Sequence, residues 1–258
     1  MKKFLMFFYS VIAYAIAFSS ILYWIISVGN LIPEVSIDQA PRVSVALAIL
    51  NNLVLIALFG IQHSVMARGW FKEILTRYLP RPVERSTFVL VSGILLFNLV
   101  YNWQPMGGII WQFETGTLVY YASYVLFFAG WAILFISSFL INHFDLFGLR
   151  QTFLELQNKP YTELPFRIKA FYKHVRHPLY SGMLLGMWAT PVMSVTHLCF
   201  ALAITGYVVI GTRYEEKDLV KVFGSKYTSY QASKPMLIPF TKGFSKKKGN
   251  TVLKEKMA

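Results

Sequence analysis

Five apolar runs dominate this sequence, and each approaches the length needed to cross a lipid bilayer. They are Phe4–Val28, Val43–Met66, Thr87–Trp103, Thr117–Ile141 and Leu179–Thr212. A helix of about 20 residues spans the hydrocarbon core. No run alternates apolar and polar residues as a barrel strand does, and lipid tolerates no open sheet edge. With 55% hydrophobic and only 14% charged residues, the chain is predicted to be an all-α integral membrane protein.

The basic residues predict how the chain is oriented. If Lys2 and Lys3 are cytoplasmic, the segments between the first runs alternate between outside (29–42 and 104–116) and inside (67–86 and 142–178). Arg42 is then the only one of the 25 Lys and Arg residues in an outer segment, as the positive-inside rule requires. The net charge of +13 therefore indicates topology and attraction to anionic lipids rather than nucleic-acid binding.

The first run is predicted to be a retained membrane anchor rather than a cleaved signal peptide. Its apolar part has about 25 residues, whereas the apolar region of a secretory signal has ~7–15.

The fifth run predicts a tight hairpin of two short helices over 179–212. As one straight helix its 34 residues would be ~51 Å long, well beyond the bilayer core. Pro191 near its middle, with Ser194 and His197 behind it, favours a break and a new helix. Eleven Lys and Arg residues follow the run, and a single crossing would export them all. The expected fold is four transmembrane helices plus this hairpin, which makes five to six membrane helices.

Several chemistries have no support in the sequence. Cys199 is the only cysteine, so no intramolecular disulfide can form. No CxxC, HExxH, Walker or GxGxxG pattern occurs, which leaves metal-dependent hydrolysis, nucleoside triphosphate binding and a Rossmann domain without a motif.

Polar side chains gather at the predicted cytoplasmic ends of the spans. His63 lies between Gln62 and Ser64 near the end of the second run. Two interpretations stay open for it, a site residue or a histidine packed in the core. His143 and Asp145 follow the fourth run and are suited to orient one another or a ligand amine. Arg150 is suited to bind a carboxylate. The alternative for these three is an interfacial belt of aromatic and basic residues.

The densest cluster of ionisable groups flanks the hairpin. Arg176-His-Pro-Leu-Tyr-Ser-Gly182 precedes it and Arg213-Tyr-Glu-Glu-Lys-Asp-Leu219 follows it. This pattern resembles the isoprenylcysteine carboxyl methyltransferase and phospholipid methyltransferase superfamily of membrane enzymes. Two further runs, Gln62–Arg68 and Asn142–Gln151, and the overall length are similar to a bacterial branch that methylates methanethiol to dimethyl sulfide.

The resemblance implies a cytoplasmic pocket for S-adenosylmethionine, without a metal. His177 and Tyr180 are then expected to contact the cofactor, and Glu215 and Glu216 to accept hydrogen bonds from its amine and ribose. Gly182 would permit close backbone approach, and Pro178 would start the hairpin helix. Arg176 is expected in the same cofactor pocket. The alternative is a surface network in which Arg176 pairs with the glutamates.

Methyl transfer to a thiol requires a proton to leave. A thiol with a pKa of ~8.5 or higher is mostly protonated at neutral pH, and the thiolate is the nucleophile. We expect His143 or His63 to act as the general base, with Asp145 orienting one of them.

Three functions stay open at this point. The first is methylation of a small thiol, methanethiol or hydrogen sulfide. The second is a membrane methyltransferase acting on a lipid or an isoprenylcysteine carboxylate, and the third is a non-enzymatic accessory or transport protein. The expected organisation is transmembrane helices 1 to 4 over 1–141, a methyltransferase core over 142–240 that holds the hairpin and a cytoplasmic cap, and a flexible basic tail over 241–258.

Overall fold

The computed structural model describes residues 1–241 and consists almost entirely of helices. Five helices are long and apolar enough to cross a membrane. They are α1 (Lys2–Val28), α2 (Val45–Met66), α4 (Glu84–Tyr101) with the turn before it, α5 (Leu118–Ile141) and α9 (Val195–Phe223). Shorter helices are α3 (Gly69–Tyr78), α6 (His143–Leu146), α7 (Leu149–Leu156), α8 (Pro178–Trp188) and α10 (Ser225–Ser233). The all-α membrane class is confirmed. The predicted basic tail lies outside the described residues, apart from Thr241.

The predicted hairpin is formed by α8 and α9, but its two helices differ greatly in length. The break falls where Pro191 and its polar neighbours predicted it, and Ser194 caps α9 by accepting a hydrogen bond from the backbone N–H of His197 (3.1 Å). α8 has 11 residues and α9 has 29, which correspond to ~16 Å and ~43 Å. The expectation of two short helices was wrong because α9 continues past Thr212 as a charged helix.

A small antiparallel sheet closes the turn of the hairpin and was not predicted. Strand β1 (Ile109–Gln112) from the loop between α4 and α5 pairs with β2 (Val192–Ser194). The Trp111 indole N–H donates to the Thr190 carbonyl (3.0 Å). The tight turn between two helices leaves backbone groups without helical partners, and the neighbouring loop satisfies them.

A buried contact between Asp38 and His197 ties the first loop of the chain to the same turn. One Asp38 oxygen lies 3.1 Å from His197 Nδ1, and the other accepts the backbone N–H of Ser194 (2.9 Å). His197 Nε2 lies 3.1 Å from the Met187 carbonyl at the end of α8. The side chains of both charged residues are almost fully buried. The loop after α1 therefore fixes the start of α9 and the end of α8.

The ends of the helices sort into two sets. The loop with Asp38, strand β1 and the hairpin turn meet at one end. At the other end Lys3 pairs with Glu155 (2.9 Å), and Arg68 with Asp218 (3.7 Å). This is the arrangement that four crossings and a returning hairpin predict.

Glycine allows α5 and α8 to pack backbone against backbone. A Cβ placed on Gly182 would lie 2.5 Å from the Gly130 carbonyl oxygen, and one on Gly130 would lie 2.4 Å from the Gly186 nitrogen. Such close approach through small residues is typical of helix pairs in lipid, where interfaces depend on packing. It fixes α8, and with it the residues that precede α8, against the bundle.

Candidate active site

Arg176 and Glu216 form the centre of the cluster that flanks the hairpin. The Arg176 Nε and Nη2 bind the two Glu216 oxygens, with Nη2 to Oε2 at 3.1 Å. His177 Nε2 lies 3.1 Å from Glu216 Oε1. The backbone N–H groups of Arg176 and His177 donate to Pro235 and Met236, which holds this segment beside the chain after α10.

Two further side chains lie within hydrogen-bond distance of the Glu216 carboxylate. Gln231 Nε2 donates to Oε2 (3.0 Å), and the Tyr227 hydroxyl approaches Oε1 (3.5 Å). Arg176 also donates to the Gln231 carbonyl (3.0 Å). The side chains of Arg176 and Glu216 are about 10% exposed. Arg176, His177 and Glu216 therefore satisfy one another, and this carboxylate is not the open acceptor for a cofactor amine that we expected.

Glu215 differs from its neighbour in being open. Its side chain is 45% exposed, and its Oε2 accepts the Tyr180 hydroxyl (3.2 Å). His177 Nδ1 lies 3.9 Å away. Of the predicted acidic pair, Glu215 is the member with acceptor capacity left, and Tyr180 orients it.

Two other predicted cofactor residues have structural positions. Pro178 is the first residue of α8, as expected of a proline at a helix start. Gly182 contacts the backbone of α5 at Gly130 and Leu134. Its lack of a side chain serves this helix contact, which corrects the expectation that it would make room for a cofactor.

His143 is buried and both of its ring nitrogens are engaged. Nδ1 lies 2.7 Å from the Ser138 hydroxyl and Nε2 lies 3.0 Å from the Tyr14 hydroxyl. Because Ser138 donates its hydrogen to the Phe135 carbonyl (2.7 Å), the histidine Nδ1 donates and Nε2 accepts from Tyr14. The ring stacks on Phe139 at 4.2 Å. Burial lowers the pKa of His143, so the neutral ring is favoured, but no nitrogen is left to take a substrate proton.

Asp145 and Arg150 bind one another. Arg150 Nη1 donates to Asp145 Oδ1 (2.8 Å) and to the Thr162 carbonyl (2.9 Å). The Tyr161 hydroxyl approaches the second Asp145 oxygen (3.4 Å). Asp145 forms no hydrogen bond with His63 or His143, so the expectation that it orients one of them is wrong. The Arg150 guanidinium is paired with Asp145 and is therefore not open to a substrate carboxylate.

His63 lies in an aromatic enclosure between α2, α4 and α9. Its ring is 4.9 Å from Phe88, 5.3 Å from Phe59 and 6.2 Å from Tyr207. Nδ1 lies 3.2 Å from the Ser92 hydroxyl. The His63 Nε2 has no hydrogen-bond partner within 1–241. Of the two candidate bases, His63 and His143, only His63 therefore has a ring nitrogen available to a substrate.

A cavity of about 550 Å³ opens at the end of the molecule where these residues lie. Arg85 and Glu84 at the start of α4 line it, together with Asp145, Gln151 and Tyr161. The Arg85 Nε donates to the Leu146 carbonyl (2.8 Å), and its guanidinium carbon lies 4.8 Å from the Phe88 ring centroid. Phe88 therefore connects Arg85 to His63.

Glu84 and Arg85 were not predicted as site residues from the sequence. They belong to the basic segment before the third run, where positive charge was explained by orientation alone. Their position could have indicated a site, because they form a charged pair at the first turn of a membrane helix. Ionisable residues at a membrane span are functional candidates by default.

The described part of the chain contains no three His, Cys, Asp or Glu side chains close enough together to bind a metal ion.

Known proteins similar to this chain include enzymes named methanethiol S-methyltransferase. It is 45% identical over 234 residues to a methanethiol S-methyltransferase of Crocosphaera subtropica, covering 90% of this chain and 91% of the relative. It is 39% identical over 242 residues to a methanethiol S-methyltransferase of Mycobacterium tuberculosis, covering 93% and 98%. A Nurim homolog of Drosophila melanogaster is 28% identical over 190 residues, covering 71% and 75%. No family model matches the chain, and no solved structure matches it.

Proposed function

The chain belongs to the methanethiol S-methyltransferase family, and we propose that it transfers a methyl group from S-adenosylmethionine to methanethiol, giving dimethyl sulfide. The observation that carries this proposal is the identity of 39–45% to enzymes of that name over nearly the whole of both chains. Hydrogen sulfide is the second candidate thiol. Five candidate spans make the chain a multi-pass membrane protein.

The polar groups around the cavity fit S-adenosylmethionine, which carries an ammonium, a carboxylate and a ribose diol. The cavity wall holds both acceptors and cations. The Tyr180–Glu215 pair does not line the cavity and offers one further open carboxylate. Arg176, His177 and Glu216 would act behind this surface by fixing where α8 and α9 begin and end relative to one another. When bound, the cofactor supplies an electrophilic methyl group on a cationic sulfur.

His63 is the residue that we assign to the thiol proton. Its Nε2 is open, and the Ser92 hydroxyl holds the opposite nitrogen. Phe59, Phe88 and Tyr207 surround the ring and restrict water. A thiolate deprived of water is a stronger nucleophile, so an aromatic enclosure around the base suits a small apolar thiol. His143 would serve the site by holding α1 against the end of α5.

The location proposed is the inner membrane, with both termini and the cavity on the cytoplasmic side. The support is the charge distribution, because Arg42 is the only basic residue in the two outer loops. The cavity would then open to the compartment where S-adenosylmethionine is made.

Headspace gas chromatography tests the proposal. Cells expressing the chain and fed methanethiol are expected to release dimethyl sulfide, and cells with the empty vector are not. Cells with His63→Ala are expected to release far less than cells with the unaltered chain. Absence of dimethyl sulfide from cells with confirmed expression would refute the thiol substrate. Parallel assays with a lipid extract and with a prenylated cysteine then show whether the methyl group goes to a larger acceptor.

A further inference from the structure

Two adjacent residues in the cavity, Glu84 and Arg85, carry opposite charges that nothing in 1–241 neutralises by contact. Glu84 Oε1 is buried and accepts no hydrogen bond. Arg85 donates only through Nε, to the Leu146 carbonyl, and its two terminal nitrogens make no hydrogen bond or ion pair within 1–241. The two side chains line the same cavity without pairing with each other.

Leaving such groups unpaired is costly. A buried polar atom without a partner loses its bonds to water, and a partly buried charge loses more. A third group in the cavity wall has the same need, because Gln151 Oε1 is also buried without a donor. The cavity thus presents a forked cation beside two acceptors.

These groups match the two charges of an α-amino acid. A guanidinium binds a carboxylate through two parallel hydrogen bonds, and a carboxylate accepts from an ammonium. A plain anion, such as the phosphate of a lipid, would satisfy Arg85 and leave the Glu84 oxygen unpaired. The zwitterionic end of an amino acid satisfies both.

The position of Arg85 connects this pair to the residues around the hairpin. Its charge acts on Tyr180, which orients Glu215, and also on His63. A ligand whose amino-acid end lies at Arg85 would extend toward Tyr180 on one side and lie close to the aromatic enclosure of His63 on the other.

We propose that Glu84 and Arg85 bind the amino-acid end of S-adenosylmethionine, with Arg85 on its carboxylate and Glu84 on its ammonium. This inference rests on the function proposed above. It leaves the Tyr180–Glu215 pair for the ribose, and it moves the amino-acid end of the cofactor away from the acidic pair of α9.

Isothermal titration calorimetry on the purified full chain tests the assignment with two ligands. S-adenosylhomocysteine carries the amino-acid end, and 5′-methylthioadenosine lacks it. We expect Arg85→Gln and Glu84→Gln each to weaken binding of S-adenosylhomocysteine by about 10-fold or more, since each removes a charge-assisted hydrogen bond. Binding of 5′-methylthioadenosine should change by less than about 2-fold, because this ligand has no carboxylate or ammonium for the two residues to bind.

Matched controls are Arg77→Gln and Glu73→Gln, which remove the same charges from exposed positions on α3 outside the cavity wall. Both should bind the two ligands as the unaltered chain does. If Arg85→Gln or Glu84→Gln fails to fold, Arg85→Lys and Glu84→Asp, which keep each charge but change the bonding groups, replace them in the same titrations, and each should again weaken S-adenosylhomocysteine binding more than 5′-methylthioadenosine binding.

Four results would overturn the assignment. They are unchanged S-adenosylhomocysteine binding in both cavity variants, equal losses for the two ligands, a loss in Arg85→Gln alone, and equal affinity of the unaltered chain for both ligands. The third of these would indicate an anion site. Failure of the unaltered chain to bind either ligand would remove the proposed function as well, whereas the four results above leave dimethyl sulfide production untouched.

Discussion

Arg176 and Glu216, which stand 40 residues apart, are joined by two hydrogen bonds between guanidinium and carboxylate. This pair brings the segment before α8 to the charged part of α9, and His177 and Gln231 complete the bonding of the carboxylate. The two glutamates in sequence are therefore expected to behave differently when changed.

Glu216→Gln should destabilise the protein, whereas Glu215→Gln should weaken cofactor binding. Removing one charge of a buried pair leaves the other uncompensated, which costs about 3–5 kcal/mol. Thermal unfolding in detergent should show the loss for Glu216→Gln and no change for Glu215→Gln. Calorimetry should show about 10-fold weaker S-adenosylhomocysteine binding for Glu215→Gln, as expected for one charge-assisted bond. The opposite assignment of the two effects would contradict the geometry.

His63→Ala should lower turnover by ~10²–10⁴-fold, the usual contribution of a general base. Cofactor affinity should stay near that of the unaltered chain. Raising the pH should restore part of the rate, because more of the thiol then ionises without help. Methanethiol-dependent formation of dimethyl sulfide, measured between pH 7 and 9.5, gives both readings. A rate for His63→Ala that does not rise with pH argues for a different role.

His143→Gln is the comparison for the His63→Ala experiment. It should also change how the stability of the protein depends on pH. Burial lowers the pKa of His143 below 6.5, so between the lowered value and 6.5 the unfolded chain binds more protons than the folded one. Its contribution to stability is thus complete above pH 6.5 and is lost as the pH falls below that value. Melting temperatures from pH 7.5 to 5 should fall more steeply for the unaltered chain than for His143→Gln. Parallel curves would show that this histidine is not the titrating group.

Gly182→Ala should destabilise the contact between α5 and α8. The added methyl would lie 2.5 Å from the Gly130 carbonyl oxygen, and overpacking of this kind costs about 1–3 kcal/mol. Gly206→Ala on α9 is the matched control, since a Cβ there meets nothing within 4 Å. Without a clash, alanine is favoured over glycine in a helix by about 1 kcal/mol. Thermal unfolding should move in opposite directions for the two variants.

A reporter fused after Ala258 should be found active on the cytoplasmic side of the membrane. A reporter inserted in the loop at Gly116 should be found active on the outer side. The reason is the positive-inside distribution of Lys and Arg together with the return of α9. Activity of the C-terminal fusion on the outer side is the result that would remove the cytoplasmic site.

Much of the fold was predictable because hydropathy and charge act locally. The spans followed from run lengths, the break near Pro191 from the proline, and the return of the hairpin from the charge rule. The pairing of Arg176 with Glu216 was only the alternative to a cofactor pocket. The sheet between β1 and β2 was not, since its strands depend on which loops meet at one end. The length of α9 was also missed, because a charged helix beyond the bilayer has no apolar run to mark it.

The site was harder to predict than the fold. Residue types placed His143, Asp145, Arg150 and Glu216 in a ligand site, but other protein groups bind each of them. Asp145 and Arg150 bind one another, whereas the partners of His143 and Glu216 lie far away in sequence, as Tyr14 and Arg176 do. Whether a polar group is free depends on tertiary partners, and sequence spacing does not show these. Arg85 illustrates the converse, a charge that looks like a topology signal and lies against a cavity.

The bond between Asp38 and His197 has a consequence for the biogenesis of the protein. These residues are 159 positions apart, and α8, at ~16 Å, is too short to leave the translocon as a stable span by itself. Its far end is completed by a carboxylate synthesised long before it. The N-terminal half must already be inserted, with its first loop exposed, when the hairpin emerges. A chain released before α9 was made would lack His197, and the Asp38 carboxylate would then have no partner on the hairpin.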